Sequence, residues 1–315
     1  MTRLGGLVLV LPMVASLVNI PRCDQQKSKP LGEQQSNRAT PAKTSAAGAG
    51  ERPGAMDGEI QELAAGAHCT VFESFVFVAR DAQTYQALKT INLDLPDRSA
   101  EFFSSHAVIA AFLGQRRTGG FGVDITQDAN GLVRISEHKP KGMVTMALTA
   151  PFRIVAVSVK TDAPLGLSLD AAWKERLRGY RVASGELTVT GGFAGIHENS
   201  SLAGSVQVMR EQTLATLIFE LKSTGKRRTQ LTDVSSGTVV DSVLSLRHLD
   251  SHALSGAIQS PFRVRGQFTN DEQELSLDLE TVESPNISDN FSARASVRAI
   301  ATTPRPPDRA ISDKQ

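Results

Sequence analysis

Hydrophobic and polar positions change rhythm several times along this chain. Behind Arg3, residues 4–20 (LGGLVLVLPMVASLVNI) are almost wholly apolar, whereas residues 24–57 hold almost no large apolar side chain. From 58 to 165, β-branched and aromatic runs are separated by polar turns. HCTVFESFVFVAR carries such a run from Val71 to Val78 and predicts a strand. In DAQTYQALKTIN, Asp81 stands as an N-cap, and Tyr85, Leu88 and Ile91 recur at helical spacing. HAVIAAFLG, TGGFGVDITQ, LVRISEHKP and MVTMALTAPFRIVAVSVK then predict four strands. Phe121, Val123 and Ile125 alternate with Gly122, Asp124 and Thr126, so one face packs and the other is wet. Val155, Val157 and Val159 repeat that period. The pairs Gly119-Gly120 and Asn130-Gly131 mark tight reversals or bulges between strands. The pattern describes an antiparallel sheet with one short helix.

A second rhythm runs from 166 to 300. SLDAAWKERLRGY predicts a short helix capped by Asp170, with Trp173 and Leu177 on one face and Gly179 at its end. Trp173 reads as a packing plug between two units. GELTVTGGF, SVQVMRE, LATLIFELK, TVVDSVLSL, PFRVRGQF, QELSLDLE and FSARASVRAI follow as strands. Leu275, Leu277 and Leu279 alternate with Ser276 and Asp278; Phe291, Ala293, Ala295 and Val297 alternate with Arg294, Ser296 and Arg298. One-sided burial in strands joined by polar turns predicts a second all-β domain, a sandwich or a partly open barrel. The expected fold class is therefore mainly β, with domains at 58–165 and 166–300 and a loose tail at 301–315. TGGF recurs at 118 and 190 and PFR at 151 and 261, but the separations, 33 (151 − 118) and 71 (261 − 190), exclude an exact tandem repeat.

Composition narrows the function. Apolar content of 40% supports packed cores, and a formal net charge of +1 argues against a broad nucleic-acid footprint. One Trp and two Tyr give little surface for stacking bases or sugars. Residues 1–23 have the charged-then-apolar order of an export signal and are short for a membrane span. Cys23 and the polar stretch after it resemble a bacterial lipoprotein signal, which implies an acylated cysteine and attachment to a membrane through that lipid. Ile20-Pro21-Arg22 departs from the family's preferred residues before the cysteine. The alternative is an ordinary cysteine, bridged to Cys69 after export. Residues 24–57, rich in Gln, Ser, Ala, Pro and Gly, form a disordered tether. The expected location is the cell envelope or the exterior.

The segment VIAAFLGQRRTGGFGVDI, followed by APFRIVAVSV, carries a resemblance. An apolar strand, a Thr-Gly-Gly-aromatic turn, an alternating strand and a later Pro-aromatic opening a valine-rich strand resemble the PrcB C-terminal domain family, over about residues 105–160. Arg117 stands where that family usually has proline. The resemblance implies an accessory subunit that binds and stabilises an envelope-associated protease or other protein complex. Arg117-Thr118-Gly119-Gly120-Phe121 with Pro151-Phe152 is also similar to the loops of chagasin-type protease inhibitors, without their proline. Both likenesses point to a partner-binding corner at Arg116, Arg117, Thr118, Gly119, Gly120, Phe121, Pro151 and Phe152. Glycines there allow positive φ and close backbone approach, and exposed arginines are common interface anchors. A twisted, solvated hairpin is the plainer reading of the same residues.

Chemistry is sparse elsewhere. Gly114 to Gly119 has phosphate-loop spacing, but Gly-Phe stands where Lys-Ser/Thr is required. Gly120-Phe121-Gly122 lacks a third glycine and a following helix. No Gly-x-Ser-x-Gly elbow occurs, and His197-Glu198 is followed by Ser201 where a second metal-binding histidine would stand. His248 and His252 flank Asp250 without an evident third ligand. His68 beside Cys69 points to the opposite face of a strand. The basic tip STGKRR at 223–228 reads as a solvated loop. The chain thus reads as a non-enzymatic binding protein with a protein partner, no cofactor and no metal. The alternative is a lipid or small-molecule binding β module of the envelope.

Overall fold

The computed structural model describes residues 60–91, 94–159, 165–191, 196–224, 229–250, 252–253, 261–281 and 292–302. The leader with Cys23, the tether, residues 225–228, most of the tail and the side chains of His197, Glu198, His248, Asp250 and His252 lie outside what is described.

The first part of the described chain builds β1 (Ile60–Gly66), β2 (Phe75–Ala79), α1 (Ala82–Lys89), β3 (His106–Phe112), β4 (Gly122–Gln127), β5 (Val133–His138), β6 (Phe152–Ser158), β7 (Leu167–Leu169) and α2 (Ala171–Lys174). The order in the larger antiparallel sheet is β1-β6-β3-β2; β4, β5 and β7 form a second, small sheet in which β5 and β7 run parallel. α1 begins as its sequence requires: the Asp81 carboxylate accepts the Thr84 amide at 2.8 Å, and Tyr85 and Leu88 face inward. α2 is only one turn long. Asp170 makes no side-chain cap there; its carboxylate accepts the Glu137 amide at 3.1 Å, tying the turn to the small sheet.

The strand expected over Val71–Val78 begins only at Phe75, and Phe72 is exposed. The strand expected to run from Met143 begins only at Phe152. Residues 141–148 are an exposed loop instead: the Thr145 carbonyl accepts the Gly119 amide from the corner and the Ala147 amide from within the loop, and no sheet ladder forms there.

The remaining strands are β8 (Arg178–Gly191), β9 (Ile196–Glu211), β10 (Leu214–Ser223), β11 (Thr229–Val240), β12 (Val243–Asp250), β13 (His252–Ala253), β14 (Pro261–Thr269), β15 (Glu274–Thr281) and β16 (Ser292–Ala301). Apart from the short β13, each pairs with its neighbours in sequence, and β16 pairs back onto β8. The result is a closed, eight-stranded up-and-down barrel. Closure replaces the sandwich or partly open barrel expected from alternation. It depends on two strands hidden in the pattern. TVVDSVLSL is not one strand but the end of β11 and the start of β12, joined by Asp241 and Ser242 at φ 48° and 68°, as a two-residue hairpin requires. The polar run TQLTDVSSG is the body of β11.

The described inward side chains of the barrel are apolar and packed together. Tyr180, Phe219, Phe262, Phe268, Leu217 and Leu221 of β10, Leu244 and Leu246 of β12 and the leucines of β15 are all buried in one cluster. On the outer wall, Arg294 meets Glu280 and Arg298 meets Glu274, both at 2.7 Å, the first pair largely exposed and the second partly so. Charged pairs facing outward are the reverse of the apolar band a membrane-spanning barrel presents. At one end Glu272 is clamped by Arg178, at 2.8 Å, and by Arg210, while its carbonyl accepts the Tyr180 hydroxyl at 3.0 Å. Burial pushes that phenol up to about 12.

The two sheet systems share a core. Met209, Leu214 and Val234 on the barrel wall belong to the same cluster as Phe75, Phe77, Ile109 and Trp173. Trp173 is not a plug between separate cores; its indole N–H donates to the Phe112 carbonyl at 2.9 Å inside this cluster. The outer edge of β2 is met by barrel side chains. Val76 N–H reaches the Met209 sulfur at 3.3 Å, Val78 N–H reaches the Ser236 hydroxyl at 2.8 Å, and Thr216 donates to the Val76 carbonyl at 2.6 Å. At the strand's end, Arg80 pairs with Asp233 at 2.9 Å, both buried, and Asp233 also accepts the Leu165 amide at 3.1 Å.

Candidate functional site

The corner after β3 is set by backbone bonding. Leu113 N–H donates to the Pro151 carbonyl at 2.8 Å, which keeps the chain beside β6 for one more residue. Arg116 and Thr149 then exchange both backbone bonds, at 2.7 and 2.9 Å. Thr149 also donates its hydroxyl to the Thr118 carbonyl at 3.0 Å, and Gly119 N–H donates to the Thr145 carbonyl at 2.9 Å. The corner and the loop at 141–148 are therefore one unit, laced together along its inner side.

Each glycine is required there for a different reason. A Cβ on Gly119 would lie 2.3 Å from the Thr145 hydroxyl oxygen, so this residue must be bare for the loop to approach. Gly120 sits at φ 84°, and a Cβ there would lie 2.8 Å from the Pro140 ring. Of this pair only Gly120 takes positive φ, as Gly114 does at φ 75°, and the residue that approaches Gly119 is Thr145 of this same chain.

The expected partner residues divide sharply. Arg116 is turned inward: its Nε donates to Glu137 at 3.1 Å, its Nη1 to the Gln115 carbonyl at 3.1 Å, and its guanidinium lies 5.8 Å from the Phe121 ring centre. Pro151 and Phe152 are buried; Phe152 stacks on Phe112 at 6.1 Å between centroids. These two belong to the sheet core and leave the candidate surface. Arg117 and Gly120 are exposed, and Thr118 and Phe121 are half-buried.

Sequence reading missed the other half of the site. Met143 is fully exposed, Met146 is 88% exposed, Leu148 62% and Val144 36%. Beside Met143 and Val144 lies a cavity of about 520 Å³, lined also by Gly119, Gly120, His138, Pro140, Lys141 and Thr145. The signal was in the sequence: Lys141-Gly142 before the run is turn chemistry, and the run itself holds two methionines and an alanine where a strand favours branched or aromatic residues.

A second cavity, about 430 Å³, lies where β8 bulges away from β9, and is lined by serines, Asn199, Glu186 and Arg298. Among the described residues no three His, Cys, Asp or Glu side chains converge as a metal would need, and no helix is long and apolar enough to cross a membrane.

Residues 107–158 match the model of the family described as PrcB C-terminal. The match runs from β3 to the end of β6 and contains both the corner and the exposed loop. That family is associated with the cell envelope and with an accessory role in protease complexes. No curated protein and no solved structure matches the chain.

Proposed function

We propose that this chain is a non-enzymatic accessory protein of the cell envelope that docks on a protein partner, of the protease-complex type, and stabilises it. Docking takes place on the surface made by Arg117, Gly120, Phe121 and the loop at 141–148. The observation that carries this reading is the apolar loop held in water beside the corner, within the segment that matches the PrcB C-terminal family. Burying a methionine or leucine side chain is worth about 1.5–3 kcal/mol, so a loop that is pinned by backbone bonds and still shows three of them has a surface to cover. Export through residues 1–23, a lipid on Cys23 and the tether at 24–57 belong to the same reading, since they would hold the docking surface off a membrane.

The alternative, a lipid or small-molecule carrier, requires an apolar hollow in the barrel. The described inward side chains, Phe219, Phe262 and the leucines of β15 among them, are packed in one buried cluster, which favours the docking reading.

The test is affinity capture from detergent-solubilised envelopes, with the full chain as bait and Met143→Asp/Met146→Asp as the matched control. One protein should co-purify reproducibly with the native bait and be lost with the control. Equal recovery on both baits would place docking elsewhere on the molecule and overturn the proposal.

A further inference from the structure

The surface around the exposed loop has a charge pattern that selects among partners. Its carboxylates are already engaged. Glu137 is mostly buried and receives Arg116, and Asp124 lies 3.7 Å from Arg153 and 3.6 Å from His138. Its cations face water. Arg117 and Lys141 are exposed, and Lys139 is exposed with its nearest carboxylate, that of Glu137, 3.7 Å away. His138, half in water, lines the cavity itself. The exposed apolar side chains of Met143, Met146 and Leu148 thus belong to a loop whose neighbouring water-facing charges, on Arg117, Lys139 and Lys141, are positive.

The cavity between the loop and the two glycines adds shape. Its volume falls in the range of clefts that hold a ligand group. Its lining is apolar at Pro140, Met143 and Val144, bare backbone at Gly119 and Gly120, and polar at His138, Lys141 and Thr145. Methionine is the residue best able to repack around an incoming side chain of irregular shape. A membrane surface fits less well. It would favour Trp, Tyr or Phe at such a tip and would have no use for a cleft behind it.

We infer that this cavity receives an acidic peptide segment of the partner, in which one large apolar side chain enters between Met143 and Gly120 and flanking carboxylates meet Arg117, Lys139 and Lys141. The inference rests on the docking reading above and names the chemistry of what docks. It is tested with the full chain and labelled dodecapeptides of three kinds: a central leucine or phenylalanine flanked by glutamates, the same centre flanked by lysines, and a glutamate-flanked glycine-serine centre. Fluorescence anisotropy at low salt should rank the first at least about tenfold above either of the others. Arg117→Glu/Lys141→Glu should abolish or invert the preference for glutamate flanks, and Met143→Asp/Met146→Asp should weaken the first peptide by about tenfold or more. All four positions are exposed, and circular dichroism should show unchanged folding.

Equal affinity for glutamate- and lysine-flanked peptides, or a preference that survives the charge reversal, would overturn the acidic-segment inference. Binding to vesicles containing phosphatidylserine that the first peptide does not displace would also overturn it, in favour of a membrane surface. If the envelope capture still depends on Met143 and Met146 in those cases, the docking reading stands and only the partner's chemistry is wrong.

Discussion

Two neighbouring arginines, Arg116 and Arg117, meet opposite fates. Arg116 donates to the mostly buried Glu137 carboxylate, so Arg116→Ala should cost about 1–3 kcal/mol in chemical denaturation by leaving that charge only the exposed Lys139, 3.7 Å away. Arg117 is in water, and Arg117→Ala should change stability by less than about 0.5 kcal/mol. Equal effects at both positions would refute this division. A second residue-scale effect lies at Glu211, where β9 ends. Burial pushes its carboxyl up to about 7, the Glu73 carboxylate adds to the rise, and Arg176 opposes it. The folded chain therefore keeps a proton that the unfolded chain has released between about 4.5 and 7. The stabilisation from this group is full below about 4.5, declines as pH rises to about 7, and is absent above. Glu211→Gln, which mimics the protonated acid, should raise the melting temperature relative to the native chain at pH 8 and lose that advantage at pH 4. A constant difference across that range would count against it.

At the scale of elements, the junction of β2 with the barrel is the feature that most constrains the molecule. A sheet edge left in water invites pairing with other chains. Here the edge amides of β2 are taken by Met209 and Ser236, and Arg80 at its end enters a buried pair with Asp233. Asp233→Ala removes the carboxylate opposite a buried guanidinium and should cost about 3–5 kcal/mol. Replacing both partners, Arg80→Met/Asp233→Leu, should recover most of that loss, because paired burial of charge gains little over well-packed apolar groups. Denaturant titration of the single and double variants checks both statements, and a double variant no better than the single would sink them. The corner and its loop obey a similar logic: backbone bonds from Gly119 and Arg116 hold residues 145–149 in place, and the side chains between them face outward.

For the molecule as a whole, the shared cluster predicts cooperativity. Met209, Leu214 and Val234 contribute to the core of the first sheet system, so its fold is incomplete without the barrel wall. Scanning calorimetry of the full chain should show one transition with equal calorimetric and van't Hoff enthalpies. A fragment ending at Leu177 should melt lower and associate through the uncovered β2 edge. Two well-separated transitions, or a fragment as stable as the full chain and monomeric, would show two independent domains instead.

The sequence by itself determined the local and one-sided features. The Asp81-capped helix, the alternating strands of β4, β15 and β16, and the turn chemistry at Gly120 follow from side-chain period and backbone preference, which act within a few residues. The tertiary structure alone decided what depends on the far side of each residue. It turned Arg116 inward and left Arg117 out, although the two are adjacent and identical in kind. It buried the middle of β11, where Asp233 and Ser236 meet the first sheet system and not water, and so supplied the strand that closes the barrel. It also turned a run that reads as a strand into the exposed loop at 141–148, which is tied to the distant corner through the Gly119–Thr145 backbone bond and the Arg116–Thr149 pair at its end. The physical reason is common to all three: an apolar or polar side chain specifies that it must be covered or wetted, but the identity of its cover is set by residues distant in sequence.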